Sequence, residues 1–280
     1  MTEAFCPGHI TLFFSPRKAG DILRSGSVGS GIKTSIGAVA VVEERHDTLV
    51  QISLDGADSD APVTAAAVAA LAPGRGFDIS IECGLPVGQG FGMSAAGTIA
   101  AGSCVCEMVG REQYDAFAAA HVAEIEKGGG LGDVAAIMCQ GHQPTRESPG
   151  IPPHGKVTDS GLEFRLTLAV LGPPMSTARV LSDPVTDVRI KGSGDRCLRS
   201  YTGNRTESNL FSLAREFSHA AGLESVAVTR ALDLLPGRSA MCMLGRSIIT
   251  TASAEEVREI FPEAEIFETA SFGGAVIRRG

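Results

Sequence analysis

Apolar and polar residues alternate in the first part of the chain in a pattern typical of strands. Residues 39–54 contain two such runs around a charged turn at 43–47, which predicts a β-hairpin. Residues 77–82 alternate in the same way. Residues 64–71 and 113–127 have compositions that favour helices. Because strands and helices do not alternate regularly, the pattern favours an α+β fold over a Rossmann fold.

The remainder of the chain is predicted to form a second unit. Residues 141–156 are polar and carry four prolines, so we interpret them as a connector and predict two domains, 1–156 and 157–280. The expected elements of the second domain are, in order, a strand at 163–171, helices at 209–221 and 225–235, a strand at 241–251, a helix at 254–260, and strands at 266–269 and 275–278. This order suits a split βαβ sandwich, in which two helices cover one sheet.

The first predicted strand, 4–14, is interrupted by Pro7 and Gly8. A central strand rarely tolerates proline, so this segment is predicted to be an edge strand or to contain a bulge that redirects His9. At this point His9 has two interpretations, a structural histidine or a functional one.

A glycine-rich stretch at 86–106 is the most distinctive local pattern. Glycine occupies positions 88, 90 and 92, and small residues with helical character follow from Met93. Such a stretch forms either a tight turn into a packed helix or a cradle for an anion, most often a phosphate. Ser94 would lie in the first helical turn, where its hydroxyl caps the helix or reaches a phosphate-bound metal. The pattern alone leaves both interpretations open.

A second glycine cluster, at 25–31, resembles a P-loop but does not match one. The Walker pattern needs a lysine directly after the last glycine, and Ile32 intervenes. The helix that should follow is also missing, because 36–42 is predicted as a strand. The cluster is therefore predicted to be either a hairpin turn or a loop in which Ser27 and the backbone approach a small substrate.

Candidate acid–base residues lie on the helix predicted at 113–127. Phe117, His121 and Glu124 share one face, and burial of that face would leave His121 and Glu124 in need of partners or a cavity. Asp133 follows a glycine turn and begins an apolar run. It is either the N-cap of a further helix or a second carboxylate that converges with Glu124 on one site.

Composition and charge narrow the function classes. Hydrophobic residues make up 44% of the chain and charged residues 20%, as in soluble globular proteins. The net charge of −8 argues against a nucleic-acid partner, although local donors would suffice for a small anionic substrate. We expect no membrane span and no signal segment. The seven cysteines are interpreted as buried thiols in a reducing cytoplasm.

Together these motifs resemble the GHMP kinases, the superfamily of galactokinase, homoserine kinase and mevalonate kinase. The resemblance rests on the Pro-Gly-His run at 7–9, the loop at 86–96 and the turn at 237–245, with Phe91 and Met93 as departures from the family pattern. It implies a two-domain α+β GHMP kinase fold, in which an N-terminal domain like ribosomal protein S5 domain 2 binds ATP and a ferredoxin-like domain follows. It also implies Mg²⁺ as a cofactor.

Within that superfamily the chain is most similar to the archaeal pantoate kinases, through residues 7–14, 26–31, 130–133 and 239–245. This resemblance implies ATP-dependent phosphorylation of the primary hydroxyl of (R)-pantoate to 4-phosphopantoate in coenzyme A synthesis. The alternatives are a homoserine- or mevalonate-type kinase and a non-catalytic nucleotide-binding member of the fold. Many small kinases of this kind pair as homodimers.

The resemblance also implies roles for individual residues. Ser94 and Glu124 would hold Mg²⁺, and Asp133 would accept the proton of the attacking hydroxyl, so these three form the expected catalytic set. His9 stands where mevalonate kinase-like members carry a catalytic lysine. Either His9 would supply partial charge in its place, or this role would be absent, as in homoserine kinase-like members. The residues expected to hold ATP are Pro86, Gly88, Gly90, Phe91, Gly92, Met93, Ser94, Ala95 and Ala96.

Pantoate carries a carboxylate, which a chain of net charge −8 must meet with local donors. Arg146 can pair with a carboxylate through two N–H groups. His121 lies one helical turn from Glu124 and therefore points the same way. Ser27 would present a hydroxyl from the second glycine cluster. We therefore predict a substrate site formed by Ser27, His121, Arg146 and His9.

Overall fold

The computed structural model describes residues 1–175, 180 and 182–279. The strands are β1 Thr2–Arg17, β2 Gly26–Arg45, β3 Val50–Leu54, β4 Ala57–Asp58, β5 Gly76–Cys83, β6 Pro144–Ser148, β7 Lys156–Asp159, β8 Arg165–Val170, β9 Ser239–Met241, β10 Ser247–Thr250, β11 Glu265–Ala270 and β12 Ile277–Arg279. The helices are α1 Pro62–Leu71, α2 Met93–Val109, α3 Gln113–Glu126, α4 Asp133–Ile137, α5 Pro184–Gly203, α6 Glu207–Ala221, α7 Val226–Leu234 and α8 Ala254–Ile260, and a 3-10 turn spans Ile22–Arg24. The predicted α+β class is confirmed. No helix in these ranges is long and apolar enough to cross a membrane.

The larger sheet has the order β12-β1-β2-β5-β3-β4, and β6 also pairs with β2, with β7 beside it. Helix α2 packs against β1 and β2, and α1 and α3 pack against α2. Small residues let α2 approach the sheet, since a Cβ at Gly97 would lie 3.0 Å from Ile81 Cγ2. This packing fixes the N-terminal end of α2, where the glycine-rich loop arrives.

Strand β1 pairs with β2 along almost its whole length. The register shifts between Pro7 and Gly8 and again between Thr11 and Phe13. The bulge predicted at Pro7 is therefore confirmed, and it accommodates a residue that has no N–H for the ladder. The alternative of an edge strand is wrong, because β1 lies between β12 and β2.

The glycine cluster at 25–31 lies mostly within β2 and is neither a loop nor a hairpin turn. A Cβ at Gly29 would lie 2.7 Å from Phe14 Cα, so glycine lets the bulged β1 come close to the β2 backbone. The cluster is thus a requirement of strand packing, and it carries Ser27 into the sheet.

The hairpin predicted over 39–54 is also wrong. Strand β5 pairs antiparallel with β2, and β3 pairs in parallel with β5, so a later strand separates the two segments. Alternation along the chain identifies strands, but it does not show which strand inserts between them.

The smaller sheet has the order β11-β8-β10-β9. The elements β8, α6, α7, α8 and β11 match predicted segments, whereas α5 has no counterpart among them. The strand predicted at 241–251 is instead two strands, β9 and β10, joined by a turn. Strand β12 returns to β1 in the larger sheet, and the domain division after residue 156 stays a prediction.

The segment 141–156 is more than a connector, because it contains β6. Strand β6 pairs with β2, and this pairing sets Arg146 opposite Gly29. The strand thereby brings a basic side chain to the same part of the sheet as the second glycine cluster.

Candidate active site

The glycine-rich loop before α2 has a backbone that requires its glycines. Gly88, Gly90 and Gly92 have φ of 78°, 78° and 71°, in the left-handed region where a Cβ is disfavoured. A Cβ at Gly90 would lie 2.7 Å from the carbonyl oxygen of Cys242, and one at Gly92 would lie 2.6 Å from that of His9. The loop is therefore held between β1 and the turn that joins β9 to β10.

Gln89, inside this loop, fixes it to the smaller sheet. Its Nε2 donates to the carbonyl oxygen of Gly172 at 2.8 Å, and its Oε1 accepts from the N–H of Arg246 at 3.1 Å. The hydroxyl of Ser247 donates to the Gln89 carbonyl oxygen at 2.5 Å. Two distant parts of the sequence, the loop at 86–96 and the turn at 237–245, thus form one local structure. Gln89 is a residue that the sequence analysis missed.

Helix α2 begins at this loop with its first turn open. Gly92 is the N-cap and supplies no side-chain hydrogen bond to the first amides. Phe91, Met93, Ala95 and Ala96 bury their side chains in the core, which leaves their backbone for any contact with a ligand. Uncapped amides and the positive end of a long helix favour an anion such as phosphate.

Ser94 and Glu124 meet at the start of α2. The Ser94 hydroxyl donates to Glu124 Oε1 at 2.7 Å, and the N–H of Gly130 donates to Oε2 at 2.6 Å. Glu124 is 1% exposed, and burial raises the pKa of its carboxyl to about 7, with a further rise from Asp133 that the two hydrogen bonds oppose. A buried carboxylate of this kind is suited to a cation.

The donor set around Glu124 fits magnesium better than a metal held by protein alone. The described residues contain no group of three His, Cys, Asp or Glu placed to hold a metal ion. Magnesium is commonly bound by one or two carboxylates together with water and substrate phosphates. Glu124 and Ser94, beside the open end of α2, match that pattern.

Asp133 is the first residue of α4, and its partner is His9. Nδ1 of His9 lies 2.7 Å from Asp133 Oδ1. The N-cap of α4 is Gly132, so the interpretation of Asp133 as a helix cap is wrong. A Cβ at Gly130 would overlap Asp133 Oδ2 and lie 3.7 Å from Glu124 Oε2, so both carboxylates border the same glycine.

Arg146 and Ser27 lie together on the other side of Asp133. A Cβ at Gly132 would lie 2.5 Å from Arg146 Nε and 2.5 Å from Ser27 Oγ. Arg146 is 1% exposed, and its Nε and Nη1 have no hydrogen-bond partner among the described residues. Burial lowers the pKa of its guanidinium to about 10, although Asp133 opposes the shift. A buried cation with unpaired donors is costly unless an anion binds to it.

A cavity of about 50 Å³ lies beside Asp133 and Ser27. It is lined by Thr11, Phe14, Ser27, Gly130, Leu131, Gly132, Asp133, Met243 and Leu244. It therefore lies between the bulged part of β1, the segment after α3 and the turn after β9. A wider cavity of about 1080 Å³ shares Leu131 with it. A third cavity, of about 800 Å³ over β2, β3 and β5, contains none of the predicted site residues.

His121 occupies a supporting position. Its Nε2 contacts the backbone carbonyl oxygens of Ile22 and Ser25 at 3.2 and 3.1 Å. The imidazole is buried, which lowers its pKa. His121 thus holds the 3-10 turn that leads into β2 and Ser27, and its contact with substrate stays a prediction.

Comparison with known proteins agrees with this geometry. Residues 62–141 match the GHMP kinases N terminal domain. The chain is 31% identical over 278 residues to a pantoate kinase of Thermococcus kodakarensis, with 92% of this chain and 90% of the relative covered. It is 32% identical over 299 residues to a pantoate kinase of Methanospirillum hungatei, with 99% and 96% covered.

Solved structures give the same result. A phosphotransferase related to the CoA biosynthesis pathway superposes with a TM-score of 0.86 at 25% identity, over 99% of this chain and 98% of that one. The mevalonate kinase of Methanococcus jannaschii superposes with a TM-score of 0.69 at 15% identity, over 97% and 98%, which is a likeness of fold alone. The chain therefore belongs to the GHMP kinases and, within them, to the family of the pantoate kinases.

Proposed function

We propose that this protein transfers the γ-phosphoryl group of ATP to the primary hydroxyl of pantoate and forms 4-phosphopantoate. The observation that carries the proposal is Arg146, a fully buried guanidinium beside Ser27 and Asp133, two nitrogens of which have no partner in the part of the chain that the structure describes. Such a site fits a small acceptor that has both a carboxylate and a hydroxyl. The relatives that match nearly the whole chain carry the name pantoate kinase.

The nucleotide would bind at the glycine-rich loop. Backbone amides of the loop and of the first turn of α2 would face the triphosphate, since the side chains of Phe91 and Met93 pack inward. Ser94 and Glu124 would hold Mg²⁺, which neutralises negative charge on the phosphates when it is bound. Phosphoryl transfer depends chiefly on such positioning and charge neutralisation.

Asp133 would act on the acceptor. As the hydroxyl oxygen of pantoate attacks the γ-phosphorus, its proton passes to Asp133, and the bond from phosphorus to the bridging oxygen of ADP breaks. A carboxylate within reach of the hydroxyl is suited to this transfer. The location of Asp133 at the cavity of about 50 Å³ supports this role.

Arg146 and Ser27 would bind the carboxylate of pantoate. The Nε–H of Arg146, which has no partner among the described residues, would donate to one carboxylate oxygen, and the Ser27 hydroxyl beside Nε would donate to the same carboxylate. Binding at this end would leave the primary hydroxyl to Asp133. His121 would support this site indirectly, because its contact with the carbonyl oxygen of Ser25 holds the main chain that precedes Ser27.

An ADP-release assay with pantoate, homoserine, mevalonate and shikimate tests the proposal. We expect MgATP turnover with pantoate well above the rate with the other three alcohols. Turnover that is highest with homoserine or mevalonate would assign a different acceptor within the superfamily. ATP binding without turnover on any of the four would indicate a non-catalytic member of the fold.

A further inference from the structure

His9 touches two parts of the site at once. Its backbone N–H donates to the carbonyl oxygen of Phe91 at 3.2 Å, and its own carbonyl oxygen lies where a Cβ at Gly92 would collide with it. Its imidazole contacts Asp133 at 2.7 Å. One residue in the bulged part of β1 therefore joins the backbone of the glycine-rich loop to the proposed proton acceptor.

The contacts of the ring define where its proton lies. An ionised carboxylate only accepts hydrogen bonds, so the short contact with Asp133 Oδ1 requires the hydrogen on Nδ1. Nε2 is buried and has no partner among the described residues. It faces Gly31 so closely that a Cβ there would overlap it. A second hydrogen on Nε2 would be a buried donor without an acceptor, which is unfavourable.

The charges around the ring also favour the neutral form. His9 is buried, and this burial is the largest influence on its pKa, which it lowers. The cations Arg146 and Lys33 lower the pKa further, by less than the contact with Asp133 raises it. Only Asp133 acts in the opposite direction. Arg146 is on β6, Lys33 on β2 and Asp133 on α4. These three elements contribute the charges around His9, which is on β1. His9 is thus an uncharged donor at neutral pH, unlike a lysine.

We propose that His9 is a positioning residue, whose neutral Nδ1–H holds Oδ1 of Asp133 and so presents Oδ2 to the acceptor hydroxyl. The inference rests on the proposed function, in which Asp133 receives the proton. Oδ2 borders Gly130, which lines the same cavity as Asp133. Through its backbone contacts with Phe91 and Gly92, His9 also fixes the distance between this carboxylate and the phosphate-binding loop.

Two matched variants test the role of Nδ1–H. Asparagine at position 9 can place an amide N–H where histidine carries Nδ1, whereas glutamine places its amide further from the backbone. We expect His9→Asn to keep most of the turnover and His9→Gln to lower kcat about 100-fold, since misplacement by about 1 Å has that effect. KM values for ATP and for pantoate should change little in both variants.

Equal kcat for His9→Gln and the wild type would overturn the inference, and so would an equal loss in both variants, because the imidazole itself would then be required. The kcat of the wild type should show no loss of activity as pH rises through the usual pKa of histidine. A loss there would mean that the charged ring is needed and would contradict a neutral donor.

A second measurement does not depend on turnover. In ¹⁵N-histidine NMR of the wild-type protein, the signal that disappears in His9→Asn identifies His9 among the six histidines. We expect a neutral ring protonated on Nδ1 between about pH 6 and pH 8. An imidazolium, or a ring protonated on Nε2, would overturn the inference whatever the kcat values of the variants.

The two proposals fail in different ways. Turnover on another alcohol, with the same split between His9→Asn and His9→Gln, would overturn pantoate as the acceptor and support the role of His9. Turnover on pantoate without that difference between the two variants would support pantoate as the acceptor and overturn the role of His9. Absence of phosphoryl transfer to any alcohol would overturn both.

Discussion

At the scale of single residues, the site combines buried charges of opposite sign around glycines. Arg146 and Glu124 are each 1% exposed, and Asp133 lies near both of them. The glycines at 130 and 132 leave the space that these side chains occupy. Buried ionic groups without full partners reduce stability, so their presence here is best explained by the ligands they would bind.

Asp133→Asn tests the proton acceptor. Asparagine keeps the shape of the side chain and its contact with His9 but cannot take a proton from the hydroxyl. We expect kcat to fall by about 10²–10⁴-fold, with little change in the KM for ATP, because a base acts on the chemical step. Steady-state kinetics measures both constants. Near-normal kcat in this variant would rule out proton transfer to Asp133.

Arg146→Met tests the carboxylate site. Methionine fills the buried volume of the arginine stem but has no donors, so we expect the KM for pantoate to rise about 10- to 100-fold, as for the loss of charged hydrogen bonds. Thermal stability should stay the same or increase, because an unpaired buried charge is removed. Arg205→Met is the control, since Arg205 pairs with Glu147 at 2.6 Å and should leave this KM unchanged. An unchanged KM in Arg146→Met would remove Arg146 from the substrate site.

At the scale of elements, the glycine-rich loop depends on a segment from the far end of the chain. The turn between β9 and β10 touches Gly90 and hydrogen-bonds Gln89, 157 residues earlier in sequence. The smaller sheet therefore supports the conformation of the proposed nucleotide site. This contact gives a structural reason for the occurrence of both motifs in one chain.

Gly90→Ala tests that support, with Gly74→Ala as a matched control. Both glycines have a left-handed φ, 78° at Gly90 and 75° at Gly74, so alanine is strained by about 1–2 kcal/mol at either position. Only at Gly90 would the new Cβ also collide with backbone. We expect Gly90→Ala to raise the KM for ATP and to lower Tm more than Gly74→Ala does. Equal effects in the two variants would contradict the dependence of the loop on the turn.

Local sequence patterns predicted much of this architecture and several residues that the structure brings together in the candidate site. The glycine-rich loop is recognisable because its glycines and the small residues of α2 are contiguous, and β8, α6, α7, α8 and β11 follow from their periodicity. Strand insertion could not be predicted in the same way, since the place of β5 between β2 and β3 depends on contacts distant in sequence. For the same reason neither the role of Gln89 nor the place of 26–31 in β2 could be predicted. The glycines of that segment indicated a turn, but they are needed for close approach to β1.

At the scale of the whole molecule, the proposed metal site should make stability depend on pH. Burial raises the pKa of Glu124 from its ordinary value of 4.5 to about 7 in the folded protein. Between these values the folded state binds more protons than the unfolded state. The free energy of unfolding should therefore fall as pH rises through this window, by about 3 kcal/mol at most from this group.

Glu124→Gln should remove that dependence. In the absence of ATP and metal, we expect its Tm relative to the wild type to increase between about pH 5 and about pH 8, the window set by the shifted carboxyl. Scanning calorimetry at both pH values measures the difference. A Tm difference that does not change with pH would show that Glu124 is not a neutralised buried carboxyl. Addition of MgATP should stabilise the wild type more than this variant.

The central claim, phosphoryl transfer from ATP to pantoate, is tested most directly by ³¹P NMR of the wild-type protein with MgATP and pantoate. We predict that a phosphomonoester signal of 4-phosphopantoate appears as ADP forms, with one phosphomonoester for each ADP. Formation of ADP with inorganic phosphate alone, or no consumption of ATP in the presence of pantoate, would contradict the claim.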